Sequence, residues 1–290
     1  MINLNSLGSK LLFTTTRILT EQNDGTQSSG TAFFVEFRVS ETITVPVLIT
    51  NKHVVENSWL GAFFVHLGVK GENGQLVPKF ASQPITLSNF QNRWIHHPDC
   101  NVDLCAMPFE PLRQEALAQE QEIFYIPITE DFFPTTEILS NLSALEDILM
   151  VGYPIGLWDD VNNFPVLRRG ITASHPIVDF QGKSIGLADI ASFPGSSGSP
   201  ILIINEGSFT SQDGFCIGSR LIFLGVLYAG PQFTANGDIK IVEIPTAKTP
   251  ISRTNIPTHL GYYVKAKELI TLKEHILSML PAPKELEPTA

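Results

Sequence analysis

The chain has 290 residues, 43% of them hydrophobic and 17% charged, a balance that suits a packed globular protein and excludes a solvated, disordered one. Nineteen basic residues face 29 acidic ones, a formal net charge of −10 with no Lys/Arg block, so nucleic acid and anionic membrane are excluded as partners. No apolar run approaches the roughly 18 residues of a membrane-crossing helix.

In chain order, the stretch after Lys10 is broken by polar residues and does not read as a secretory leader. Short runs rich in apolar and β-branched residues follow at 11–19, 31–39, 44–50 and 62–67, separated by Gly and Pro. Residues 68–74 contain three glycines but no following Lys-Ser/Thr, and so read as a loop and not a phosphate cradle. Residues 111–121 read as a short polar helix. Further strand-like runs lie at 148–151, 166–172, 200–204, 221–228, 239–244 and 261–264. Many short strands between turn residues predict an all-β sandwich or barrel. A helix is predicted over 265–280, where Ala266, Leu269, Ile270, Ile276, Leu277 and Leu280 form one apolar stripe that Pro281 stops. The segment after it has nothing to bury and reads as disordered.

Three cysteines, Cys100, Cys105 and Cys216, are too few for a disulfide framework. With no secretory signal, the expected compartment is the cytoplasm, where the glycosylation pattern at Asn141-Leu142-Ser143 carries no meaning. His96, His97, Asp99, Cys100 and Cys105 crowd together, but their spacing matches neither paired CxxC nor HExxH ligand sets, so no metal is expected.

Three short segments carry nucleophile chemistry. Leu48-Ile49-Thr50-Asn51-Lys52-His53 ends a buried strand on a histidine. Asp103 opens the apolar run Leu104-Cys105-Ala106-Met107. Gly195-Ser196-Ser197-Gly198-Ser199-Pro200 is a glycine-rich loop that runs into a strand. A serine hydroxyl becomes a nucleophile when an imidazole takes its proton, and a carboxylate on the other ring nitrogen fixes that imidazole's tautomer. Glycines let the loop turn tightly and aim two N–H groups at a developing oxyanion.

The order His53, Asp103, Ser197, at separations of 50 and 94 residues, resembles the chymotrypsin-fold (trypsin-like) serine peptidases. Within them, the closer similarity is to the bacterial HtrA-type catalytic domain without its PDZ module. It is carried by Asp189-Ile190-Ala191-Ser192-Phe193-Pro194-Gly195, by Gly152-Tyr153-Pro154-Ile155-Gly156 and by Gly261-Tyr262-Tyr263-Val264. The resemblance implies two antiparallel six-stranded β-barrels and a closing C-terminal α-helix. One barrel would span 10–130 with His53 and Asp103, the other 140–264 with Ser197, followed by the helix at 265–280 and a tail at 281–290.

By the same resemblance Ser197 is the nucleophile, His53 the general acid/base, Asp103 its orienting carboxylate, and the Gly195 and Ser197 N–H groups form the oxyanion hole. Ala191 lies at the base of the primary specificity pocket, and Tyr228, Ala229 and Gly230 form the strand that pairs with substrate. An uncharged pocket base implies small or apolar side chains before the cut, with Asp189 as the nearby carboxylate to account for. The partner is a protein or peptide substrate, whether one dedicated target or many, and no cofactor is implied; no segment specifies an oligomer. Two departures, Ser196 and Ser199, keep open a second reading, an inactive or latent fold used for binding. An esterase is disfavoured because the nucleophile precedes a strand and not a helix.

Overall fold

The computed structural model describes residues 2, 4–211, 214–230, 232–238 and 251–279. Helix α1 (Leu7–Lys10) and a 3-10 turn at Leu11–Phe13 lead into the first lobe. Its strands are β1 (Thr15–Gln22), β2 (Gln27–Arg38), β3 (Thr44–Thr50), β4 (Ser58–Lys70), β5 (Leu76–Ser88), β6 (Ile95–His96), β7 (Cys105–Pro108), β8 (Glu122–Phe124) and β9 (Ile128–Thr129). Helix α2 (Lys52–Val55) follows β3, and α3 (Glu110–Ala118) follows β7. After α4 (Thr136–Ser140) the second lobe runs through β10 (Asp147–Gly152), β11 (Val166–Thr172), β12 (Ile185–Asp189), β13 (Pro200–Asn205), β14 (Ser208–Ser211), β15 (Gly214–Ile217), β16 (Arg220–Ala229), β17 (Gln232–Asp238), β18 (Ile251–Pro257) and β19 (Leu260–Lys265). Helix α5 (Lys267–Met279) closes it.

The described residues form an all-β, two-lobed architecture closed by a C-terminal helix. Strands β10-β11-β12-β19-β16-β13 form a closed six-stranded antiparallel barrel. The first lobe departs from the expected six strands: it is a nine-stranded sheet in the order β5-β4-β1-β2-β3-β7-β6, with β8 on β4 and β9 parallel to β2. The extra pairing comes from the length of β4, 13 residues. Its first half pairs with β1 and its second half with β8, while β5 covers the other edge. The run at 62–67 is therefore only the middle of β4, and Gly68 belongs to that strand; the turn is at 71–75, closed by Gly71 N–H donating to Gln75 O at 2.8 Å. The run at 11–19 splits into a 3-10 turn and the start of β1. The runs expected at 239–244 and the tail at 281–290 lie outside the described residues, as does Leu280; on either side of 239–250, β17 and β18 pair into a ribbon.

Strand β2 shows why the lobes hold together. Alternate side chains leave a strand on opposite faces, and here both faces are buried. Ala32 and Phe34 pack with Leu48, Phe63 and Phe109 in the first lobe's own core. Phe33, Val35 and Phe37 enter a second core shared with Leu202, Phe223 and Val226 of the other lobe. Leu269, Leu272 and Ile276 of α5 cap that shared core, one helical stripe at spacings of three and four. Ile270 and Leu277 of the predicted stripe are only half-buried, and Leu272 takes their place. A third core, around Met150, Ile201, Leu224 and Tyr263, fills the second barrel.

One buried group ties this packing to pH. His66 on β4 is 4% exposed and lies edge-on to Phe13, with ring centroids 4.8 Å apart. Its Nε2 lies 3.1 Å from the Asn163 carbonyl, which only accepts, so Nε2 carries the proton; Nδ1 is buried without a partner. Burial therefore opposes a second proton and lowers the His66 pKa from 6.5 to about 4. Between pH 6.5 and about 4 the unfolded chain binds a proton that the folded chain refuses, so stability falls by about 3 kcal/mol across that window and is level below it. Urea midpoints measured for the wild type and His66→Gln should show the slope flattened in the variant; equal slopes would remove His66 as its source.

Candidate active site

His53 is placed by the end of β3. The chain leaves β3 at Thr50, and Val54 and Val55 bury themselves beneath the single turn of α2, which leaves His53 facing out with its side chain 45% exposed. Asn51, fully buried, donates from Nδ2 to the Asp103 carbonyl at 2.7 Å and so draws the next segment toward the turn.

Asp103 lies at the end of a loop that His97 N–H closes on Leu104 O at 2.9 Å. Within it Asp99 accepts from Asn101 N–H at 2.8 Å, and Lys52 Nζ donates to Asp99 O at 2.9 Å. The result brings His53 and Asp103 together. Asp103 Oδ2 lies 2.5 Å from His53 Nδ1, and Oδ1 accepts the His53 backbone N–H at 3.2 Å. A carboxylate only accepts, so Nδ1 holds the imidazole proton and Nε2 is left as the basic nitrogen. The remaining members of the His/Cys cluster turn elsewhere. His97 Nε2 faces Glu268 Oε2 at 3.3 Å, the buried Cys105 Sγ points to Thr50 O at 3.7 Å, and Cys100 is exposed.

The third segment is two successive turns: Ser196 N–H donates to Phe193 O at 3.0 Å and Ser199 N–H to Ser196 O at 3.1 Å. Gly195 and Gly198 take φ of +88° and +85°, the left-handed region that a side chain resists. Gly198 N–H donates to Leu227 O at 2.8 Å and Leu227 N–H to Ser199 O at 2.9 Å, which fixes the loop to β16. The Ser197 hydroxyl donates to Tyr228 O at 3.5 Å, a long bond. Among the described residues it makes no hydrogen bond to His53, so the structure brings His53 and Asp103 into contact and leaves the Ser197 hydroxyl on Tyr228 O. The Tyr228 phenol stays protonated: burial foremost, then the fields of Tyr262 and Asp103, raise its pKa.

Among the described residues neither Gly195 N–H nor Ser197 N–H has a protein acceptor. Their aim follows from a neighbour that sequence reading left unassigned a role. Pro194 O accepts the Ile155 N–H at 2.5 Å, and across a trans peptide the N–H points opposite to the carbonyl, so Gly195 N–H is turned away from Ile155. A Cβ on Gly195 would come 2.6 Å from Tyr153 O. Ile155 itself has φ 47° and ψ 28°, a left-handed conformation that is strained for a β-branched residue.

Tyr228 and Ala229 end β16, and Gly230 follows. Across from them stands Ser192 as well as Ala191. A Cβ built on Gly230 would lie 3.6 Å from Ser192 Cβ and 3.0 Å from Leu260 O, and one built on Gly261 would lie 2.6 Å from Ser192 Oγ. The space between them is narrow. Ala191 is half-buried, and its carbonyl is capped by Arg168 Nη1 at 2.5 Å, the guanidinium lying 4.8 Å over the Phe193 ring. Asp189 is exposed in an open groove that Ala191 also lines, together with Asp147, Arg169, Gly170 and His259. Ser192 and Ile155 lie inside the quoted segments without a role of their own and Arg168 lies outside them; their contacts in space reveal what they touch.

No protein-family model and no curated protein matches the chain in sequence. Among solved structures, the chain aligns with one described as the Rv3671c protease from M. tuberculosis in its active form. The alignment covers 96% of this chain and 86% of that one, at 13% identity and a TM-score of 0.46.

Proposed function

We propose that this protein is a trypsin-like serine endopeptidase of HtrA type that cleaves protein or peptide substrates through an acyl-enzyme on Ser197. The observation that carries the reading is the His53–Asp103 contact at 2.5 Å, together with a Ser197 loop whose Gly195 and Ser197 N–H groups have no protein acceptor among the described residues. An incoming peptide adds as a strand along Tyr228, Ala229 and Gly230. Its N–H takes the Tyr228 carbonyl, which frees the Ser197 hydroxyl to turn to His53 Nε2. Oγ then adds to the substrate carbonyl carbon as His53 accepts the hydroxyl proton, and Gly195 and Ser197 N–H bind the oxyanion. Collapse breaks the C–N bond, with His53 protonating the leaving amine. Water, deprotonated by His53, then releases the acyl group. Asp103 keeps the imidazole in the right tautomer and stabilises its cation. No step calls for a cofactor.

Side chains before the cut must fit among Ser192, Gly230 and Gly261, which favours small ones over Lys or Arg; the Asp189 carboxylate belongs to the open groove that Ala191 also lines. The three free thiols fit a reducing cytoplasm as the place of work, and among the described residues no helix is long and apolar enough to cross a membrane. A second reading, a latent or inactive fold used for binding, is favoured by one observation: the Ser197 hydroxyl rests on Tyr228 O and not on His53.

Intact-mass measurement after fluorophosphonate treatment separates the two. The peptidase reading expects one adduct on the wild type, none on Ser197→Ala, and labelling slowed on the order of 10⁴-fold in Asp103→Asn, the loss seen for that change in the general Ser-His-Asp template. An unlabelled wild type supports the binding module, and equal labelling of Ser197→Ala removes Ser197 as nucleophile. Profiling of a peptide library should show cuts after Gly, Ala, Ser or small aliphatic residues; cleavage mainly after Lys or Arg overturns the pocket assignment.

A further inference from the structure

We infer that Thr31 is the positioning residue that sets the oxyanion loop, an assignment that rests on the peptidase reading above. Thr31 belongs to β2 of the first lobe, is fully buried, and carries no motif. Its hydroxyl donates to Gly195 O at 3.0 Å and accepts from Tyr153 N–H at 3.2 Å and Ser199 Oγ at 3.3 Å. A hydroxyl has one proton and two lone pairs, so all three are committed, and all to segments around Ser197. The Thr31 backbone adds two bonds: its N–H donates to Ser197 O at 2.8 Å, and its carbonyl accepts from Thr50 Oγ1 at 2.7 Å.

These bonds fix the oxyanion donor. The backbone angles of Gly195 are the relative orientation of the two peptide planes that flank it. The plane before it is held from outside, at Pro194 O by Ile155 N–H, and the plane after it from inside, at Gly195 O by the Thr31 hydroxyl. With both planes held, Gly195 N–H keeps a single direction. The same residue measures the distance from base to nucleophile. Thr50 is the last residue of β3, three before His53, and a Cβ on the neighbouring Gly30 would strike the Val54 side chain on the turn that carries His53. Residues 30 and 31 thus touch the base-bearing turn on one side and the nucleophile loop on the other.

Thr31→Val keeps the shape and deletes the hydroxyl, leaving Gly195 O and Tyr153 N–H buried without partners. Thr31→Ser keeps the hydroxyl and deletes the methyl, and Thr31→Ala deletes both. On a small-residue peptide substrate, Thr31→Val should lose roughly 100-fold in kcat, the order found when an oxyanion donor is lost, with KM within about three-fold. Affinity for a peptide boronate, whose tetrahedral adduct uses the oxyanion donors, should fall by a similar factor, while Thr31→Ser stays within about three-fold of wild type in both. If Thr31→Val does not fold, the Ser/Ala comparison at matched thermal stability isolates the hydroxyl. Full kcat in a folded Thr31→Val or Thr31→Ala, or losses in Thr31→Ser equal to theirs that track the melting temperature alone, overturns the assignment while leaving the peptidase reading intact. A wild type inert to substrate and to fluorophosphonate overturns both.

Discussion

Backbone meets backbone between the lobes, with no room for a side chain. A Cβ on Gly198 would fall on the Thr31 carbonyl oxygen, and one on Gly152 would meet the Thr31 and Ser199 hydroxyls. Such a contact has one geometry. Larger residues there would push β2 from the loop at 195–199 and open the shared core in which Phe33, Val35 and Phe37 meet Leu202, Phe223 and Val226. Burial of β2 on both faces thus supplies the driving force, and the glycines convert it into a fixed separation. Apolar packing alone resists slippage by fractions of an ångström less well than directional hydrogen bonds do, and Thr31 provides those bonds at the point of closest approach.

Helix α5 reinforces the same junction from outside. It follows β19 of the second lobe, yet two of its charged side chains reach the first: Lys273 Nζ lies 2.7 Å from Glu130 Oε1, and Glu268 Oε2 lies 3.3 Å from His97 Nε2. Both pairs are largely shielded from water, which strengthens the attraction but leaves a stranded charge if one partner is lost. His97 Nδ1 accepts the Asp99 N–H at 3.1 Å, so the proton sits on Nε2, 3.3 Å from Glu268 Oε2 but without a hydrogen bond to it. The loop that ends in Asp103 is therefore fastened to its own strand, to Lys52 beside His53 and to the closing helix.

How much of this was legible in the sequence follows from what each residue does alone. His53, Asp103 and Ser197 were legible because their chemistry demands particular residue types beside glycine or a strand end. Five of the second barrel's six strands were legible as short apolar runs, whereas β12, Ile185–Asp189, was not picked out. Strand β5 was not: Leu76–Ser88 contains Pro78 and Pro84 and alternates poorly. It escapes the usual penalty by being the last strand of the sheet, where a missing N–H costs no ladder bond. Thr31, Ser192 and Arg168 were illegible for a different reason. Each is an ordinary residue type in its own segment, and its role exists only through groups far away in the chain, 164 positions away for Thr31 and Gly195.

The two supports of Gly195, one on each peptide that flanks it, are unequal in kind. Thr31 is buried, unstrained within a strand and saturated in its hydrogen bonds. Ile155 is 69% exposed on a 3-10 turn, and its left-handed φ costs on the order of 1–3 kcal/mol for a β-branched residue. That cost is offset by the bond to Pro194 O and by Gly156, which takes φ 68° without penalty and lets the turn close. Strain held by one surface hydrogen bond is released whenever that bond is lost, whereas the inner support gives way only if the lobes part. The loop around Gly195 is thus held more firmly on its buried side, by Thr31, than on its solvent side, by Ile155.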